Sequence, residues 1–208
     1  MKKLAALLVA LAFAFAAPAA AASQSAVRAA NELHELGLFH GVGLNYDGTP
    51  DYALDRAPTR AEAVTMIVRL LGREDAARLY NVPSPFTDVP QWAEPYVSFA
   101  YAARLTGGFS PTYFGSDYAV TAAEYLTFLL RALGYEEGTD FVWDDPWVLA
   151  ATVGLTTGYY RPEHNPAQFT RGDAAILSYN ALSCSMKDHS QTLRAQMHDN
   201  TDETLGAY

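Results

Sequence analysis

Carboxylates, imidazoles, one thiol and a few arginines are the side chains here that could do chemistry, and their spacing sorts them. Asp144 and Asp145 are adjacent, so on a helix they diverge by about 100° and cannot flank one glycosidic bond as a hydrolase pair must. Asp117 and Glu163 carry no spacing that brings them to a common point. The histidines, His34, His40, His164, His189 and His198, include no pair three or four residues apart, so neither a metal site nor a cofactor is expected. YDGTPD, residues 46–51, offers oxygens and a glycine but lacks the spacing and terminal glutamate of a calcium loop. No serine-nucleophile motif is present. Cys184 is the only cysteine, which excludes an intramolecular disulfide; following Leu182 in an apolar helical pattern, it reads as a small core residue. No catalytic constellation emerges. What is left is an arginine, Arg60, in the first turn of a helix, where the macrodipole favours negative charge.

That helix is well marked. Thr59 and Glu62 form a capping box, Val64, Ile67, Val68 and Leu71 recur at helical spacing, and Gly72 sits at the expected stop. Folding accounts for all of these residues, but not for Arg60.

The pattern occurs three times. ELGLFHG (35–41), AARLTGG (102–108) and TVGLTTG (152–158) align Leu38, Leu105 and Leu155, then Gly41, Gly108 and Gly158. After each comes a polar loop and a helix opening Thr-x-x-acid: Thr59 to Glu62, Thr121 to Glu124, Thr170 to Asp173. Leu71, Leu133 and Leu182 are equivalent, and Arg69 and Arg131 correspond to Asn180. Each unit is thus a first helix, a loop and a second helix. The first helices are read from Val27, Ala30, Leu33 and Leu36, from Trp92 through Leu105, and from Trp147 through Leu155. One helix pair cannot cover its own apolar stripe, so three should pack into a single all-α body. Residues 73–85 and 136–140 read as connectors. Residues 187–208 form a polar tail expected to be frayed or disordered, although 190–197 could extend a helix.

Residues 1–22 have the lysine pair, apolar run and small-residue end of a secretory signal, with cleavage expected after Ala22. No later apolar run is long enough to span a membrane. Cleavage leaves about 186 of the 208 residues, enough to bury a real core. Losing Lys2 and Lys3 from the 14 basic residues leaves 12 against 23 acidic ones, a formal charge of −11. Nucleic acid is excluded as a partner, because phosphate binding needs a basic face. Any anion must be held by a few placed arginines.

The segment FTDVPQWAEPYVSFAYAARLTGG, residues 86–108, together with the Thr-Arg-Ala-Glu helix start, resembles the S-layer homology (SLH) domain, in three tandem repeats from about residue 25 to 184. The repeats read as 23–72, 86–135 and 141–184. The resemblance implies a pseudo-threefold, spindle-like bundle of helix-loop-helix repeats. It implies an exported bacterial protein held non-covalently at the cell wall or surface. The implied ligand is a secondary cell wall polysaccharide attached to peptidoglycan, often pyruvylated, bound at grooves between repeats. By the same resemblance the signature arginines grip the anionic sugar, which points to Arg60 and Arg171. A ketal carboxylate there would meet free backbone amides as well as a guanidinium. Thr59, Glu62, Thr170 and Asp173 belong to the same helix starts; Asp88 and Trp92 are secondary candidates, with a helix cap and a core aromatic as their plainer readings.

The departures have consequences. Ala122 replaces the arginine in repeat two, so that groove should be weak or empty. Repeat three has Gly172 and Asp173, and FVWDDPW in place of the Phe-x-Asp-Val opening, which repeat one lacks. The alternative function is a structural or assembly protein of the cell surface, with a surface-protein partner engaged through loop aromatics such as Tyr113, Phe114, Tyr118, Tyr159 and Tyr160.

Overall fold

A computed structural model of the chain describes residues 22–156 and 168–205, with side chains to residue 200. The signal-like segment up to residue 21, and Gly158, Tyr159, Tyr160, Glu163 and His164, lie outside the described residues. Those described are mostly helical: α1 Gln24–Glu35, α2 Arg60–Leu70, α3 Glu74–Leu79, α4 Glu94–Ala102, α5 Ala122–Ala132, α6 Trp147–Thr152, α7 Arg171–Ala181 and α8 Leu193–Leu205. A small antiparallel hairpin, β1 Gly43–Leu44 with β2 Pro50–Asp51, sits between α1 and α2. No described helix is long and apolar enough to cross a membrane.

The three Thr-x-x-acid sequences all form capping boxes. Thr59, Thr121 and Thr170 accept from the amides of Glu62, Glu124 and Asp173, whose carboxylates accept from the threonine amides at 3.0, 2.9 and 2.9 Å. Each box fixes a helix start worth about 1 kcal/mol. α2 and α5 stop at Gly72 and Gly134, whose φ of 64° and 92° suits the left-handed C-terminal turn.

These three helices pack against one another and form the centre. They are therefore buried nearly all round, not along a single stripe: Ala61, Ala63, Met66 and Leu70 are covered as fully as Val64 and Ile67. The outer helices do not pair within their own unit. Instead α4 packs on α2, α6 on α5, and α1 on α7. Apolar spacing reveals which helices need cover, but not which neighbour supplies it. In α1 the buried face is Ala26, Ala29, Ala30 and Leu33, with Val27 turned outward.

The stretch read as the first connector holds α3. Its Glu74 takes Arg69 of α2 at 3.0 Å, Arg78 at 2.8 Å and the Tyr96 hydroxyl of α4 at 2.5 Å. Burial would raise the pKa of Glu74, but these three donors outweigh it and hold the carboxyl down at about 2. A depressed carboxyl stabilises the fold above its unfolded pKa and loses that stability as pH falls towards its folded one. The full shift would carry roughly 3.4 kcal/mol, and solvent screening reduces this to about 2. Chemical denaturation between pH 5 and pH 2 should show that loss, and Glu74→Gln should remove this part of the slope.

The tail differs from expectation. Residues 193–205 are helical, with Leu193 and Met197 buried against the core. It meets the carbonyls of the three equivalent leucines that end the central helices. Asn200 Nδ2 donates to Leu71, the Lys187 amide to Leu133 and the Arg194 amide to Leu182, at 2.8, 2.8 and 3.1 Å. Two apolar residues four apart in a polar segment make a narrow stripe, which is why the sequence reads as a loose tail.

Candidate functional site

Arg60 lies 7% exposed between α2 and α5. Its Nη1 donates to Glu124 Oε1 at 3.1 Å and its Nη2 to the Gly107 carbonyl at 2.9 Å. The rings of Phe109, Phe114 and Phe128 surround the guanidinium at 4.8, 5.1 and 5.2 Å. Glu124 thus has two tasks, since its other oxygen caps α5 through Thr121. Burial lowers the guanidinium pKa, Glu124 pulls it back up, and Arg131 lowers it further. A guanidinium keeps its charge through such shifts. Its Nε is buried and has no hydrogen-bond partner among the described residues. The helix-start arginine is thus directed away from its own helix dipole and towards the acid of the next repeat.

Arg171 occupies the equivalent place between repeats three and one. Its Nη2 donates to the His40 carbonyl, in register with Gly107, and Nη1 lies 3.7 Å from Glu62, in register with Glu124. Its surroundings are fuller. Nε donates to the Tyr52 carbonyl at 2.8 Å, Met66 Sδ lies 3.9 Å from Nη1, and the Phe39 ring is 5.3 Å away. Glu62 is already held at both oxygens by Arg56, at 2.8 and 2.6 Å. At 3% exposure, Arg171 is a clamp between repeats with all three nitrogens engaged.

The helix starts offer no free amides where an anion was expected to find them. The amides of Arg60 and Ala61 donate to the carbonyls of Tyr118 and Ser116, and those of Arg171 and Gly172 to Arg56 and Leu54. Tyr118 and Arg56 are equivalent, as are Ser116 and Leu54, so the loops before Thr121 and Thr59 dock on another repeat's helix start. Ala122 is buried at the third such start.

A groove of about 320 Å³ opens beside Arg60. Gly107, Gly108, Phe109, Glu124, Thr127, Phe128, Arg131, Glu137 and Trp143 complete its lining. Arg131 is paired with Glu137 and stays 22% exposed, while Phe109 and Trp143 are more than half exposed. The lining combines two arginine–glutamate ion pairs, Arg60 with Glu124 and Arg131 with Glu137, with exposed aromatic rings, at the lower end of ligand-pocket volumes. Arg131 was not singled out from the sequence, but the signal exists: Glu124, Thr127, Phe128 and Arg131 share one face of α5. Trp143 aligns with Asp88, so it is a site where repeat three departs from repeat two. Among the described residues, no group of three or more metal-ligating side chains is gathered.

Asp88 and Trp92 do not join the groove. Asp88 accepts from the amides of Phe114, Gly115 and Ser116 at 2.7, 2.7 and 3.1 Å. Burial would raise its pKa, but the three amides hold it below the usual carboxylate range. It is neither a helix cap nor a free ligand group; it shapes the 109–118 loop. Asp88→Ala should cost about 2 kcal/mol in a denaturant melt, with Asp88→Asn recovering part because it keeps one acceptor. Trp92 is 53% exposed, contrary to a core role.

Comparison with known proteins gives three relatives. The chain is 32% identical over 175 residues to the "Middle cell wall protein" of Brevibacillus brevis, covering 83% of this chain and 16% of that protein. It is 32% identical over 176 residues to the "Surface layer protein" of Brevibacillus choshinensis, covering 83% and 15%. It is 32% identical over 158 residues to the "Cell surface protein" of Thermoanaerobacter kivui, covering 74% and 19%. The chain therefore spans less than a fifth of each relative's length. No family model matches it. What it shares with known proteins is a distant homology to wall and surface-layer proteins of bacteria.

Proposed function

We propose that this chain is a non-catalytic anchoring module that binds an acidic secondary cell wall polysaccharide in the groove between α2 and α5, at the bacterial cell surface. The observation that carries the reading is the groove itself, with Arg60 and Arg131 beside exposed aromatic rings in a chain whose formal charge is −9. A sugar carrying a carboxylate, such as a pyruvate ketal, needs cations for the acid and flat apolar surfaces for the ring. Arg131, partly exposed, would exchange Glu137 for the sugar's carboxylate, while Arg60 stays paired with Glu124 and adds a deeper charge. The relatives' names, and the export-signal pattern of residues 1–22, support a location at the wall.

The three repeats act as one pseudo-threefold unit. Equivalent loop-to-helix hydrogen bonds and the α1 to α7 closure support this arrangement. Within it the two signature arginines have diverged: Arg60 borders an open groove, and Arg171 holds the ring shut. Thr59, Glu62, Thr170 and Asp173 serve helix starts and clamps, and reach ligand only through what they position.

Cosedimentation with purified sacculi, before and after the secondary polymer is stripped, tests the reading. Pelleting with native sacculi only is the expected result. Equal pelleting with stripped sacculi, or none with either, would overturn it and turn attention to a protein partner at the surface.

A further inference from the structure

Phe109 lines the groove and also belongs to a second feature. Its ring meets Tyr118 at 5.7 Å and Tyr113 at 6.4 Å, and the two tyrosines meet each other at 6.4 Å. The three rings are 54%, 58% and 40% exposed, so together they form an open aromatic shelf continuous with the groove wall. We infer that this shelf extends the site, so that it takes at least two consecutive sugars of the polymer, the acidic one in the groove and its neighbour on the rings. The inference rests on the polysaccharide reading above.

The shelf is built, not incidental. Gly115 has φ of +82°, and a Cβ there would lie 2.3 Å from Phe109 Cε2, so this position must stay bare for the ring to lie flat. Asp88 fixes the amides of residues 114–116 beneath it. Ser110 and Tyr113 bridge across the loop, and the Tyr118 carbonyl accepts from the Arg60 amide. The shelf is thereby tied to the helix that carries the buried arginine. Phe109 packs over the Arg60 guanidinium on one side, while Tyr113 and Tyr118 extend the exposed ring surface beyond it. Two of them end in hydroxyls, so the surface alternates apolar faces with hydrogen-bonding tips, the same alternation of C–H and O–H groups that a hexose ring presents. That favours a sugar over an apolar peptide.

The test uses size-fractionated fragments of one, two and four sugars, released from the secondary polymer by partial hydrolysis. Each is titrated calorimetrically into the wild type, a Tyr113→Ala/Tyr118→Ala variant and Arg131→Ala. Wild-type affinity should rise roughly tenfold from one sugar to two. The tyrosine variant should lose that increment while binding the single acidic sugar as the wild type does, and Tyr113→Phe/Tyr118→Phe should keep most of it. Affinity that does not grow with length, or grows equally in the alanine variant, overturns the shelf and leaves the groove reading standing. Absence of binding to every fragment by the wild type overturns both.

Discussion

Ending the chain after Ser185 should lower its stability by about 4 kcal/mol and its melting temperature by roughly 10 °C. The tail hydrogen-bonds to all three central helices at their C-terminal ends. Leu193 and Met197 fill the space beneath them, and the donors from Lys187, Arg194 and Asn200 reach the carbonyls of Leu133, Leu182 and Leu71. Helix ends buried without such partners are costly, and removing two buried apolar side chains adds to that cost. Freed tail residues regain conformational entropy, which keeps the net loss below the sum of the parts. Leu193→Ala alone should account for about 3 kcal/mol, since the side chain is fully buried. A truncated chain melting within a degree or two of the full one would show that the tail lies on the bundle without holding it.

Arg171→Ala is expected to be almost as damaging, at about 3 to 4 kcal/mol in a denaturant melt. The substitution leaves the carbonyls of Tyr52 and His40 without their donor and opens a cavity beside Phe39 and Met66. Arg171→Lys should rescue little, because one ammonium cannot reach three separated partners from a single point. Arg171→Met should recover volume but not the two carbonyl bonds, and so regain less than half. Polymer affinity of whatever fraction folds should stay near that of the wild type. A large loss of affinity in a folded Arg171 variant would instead place ligand at the second arginine.

Much of the scaffold was legible because it is local. Thr-x-x-acid predicts a capping box wherever it precedes an apolar helix, and all three formed. The repeated glycines were legible as a pattern, and their cause is now visible. A Cβ on Gly41 would meet the Asp51 carbonyl at 2.6 Å, and one on Gly108 the Tyr113 carbonyl at 2.6 Å, so the same backbone closure recurs in both units. Cys184 was legible too: it is buried, and burial pushes its thiol up to about 11.

The non-local part was hidden. Thr-Arg-Ala-Glu looks the same whether its arginine points to solvent or into the next repeat, and the difference lies in what faces it. Arg60 has three phenylalanine rings around it and an Nε without a hydrogen-bond partner beside an open groove, whereas Arg171 has all three nitrogens engaged, by the carbonyls of Tyr52 and His40 and by Met66 Sδ. The expectation of free amides failed for a similar reason, since the loops that occupy them come from another repeat. Trp92 and Asp88 were credited by type, but only placement shows that one stands in solvent and the other organises a loop.

The central claim is that an acidic polysaccharide is gripped beside Arg60 and Arg131. Calorimetric titration of released secondary polymer into the wild type and into Arg131→Ala tests it most directly, because Arg131 lies on the groove wall and is partly exposed, so its loss should leave the melting temperature within a few degrees. The account predicts an affinity reduced at least tenfold in the variant, with an increased salt sensitivity in the wild type relative to it. Equal affinity in the two proteins would contradict it.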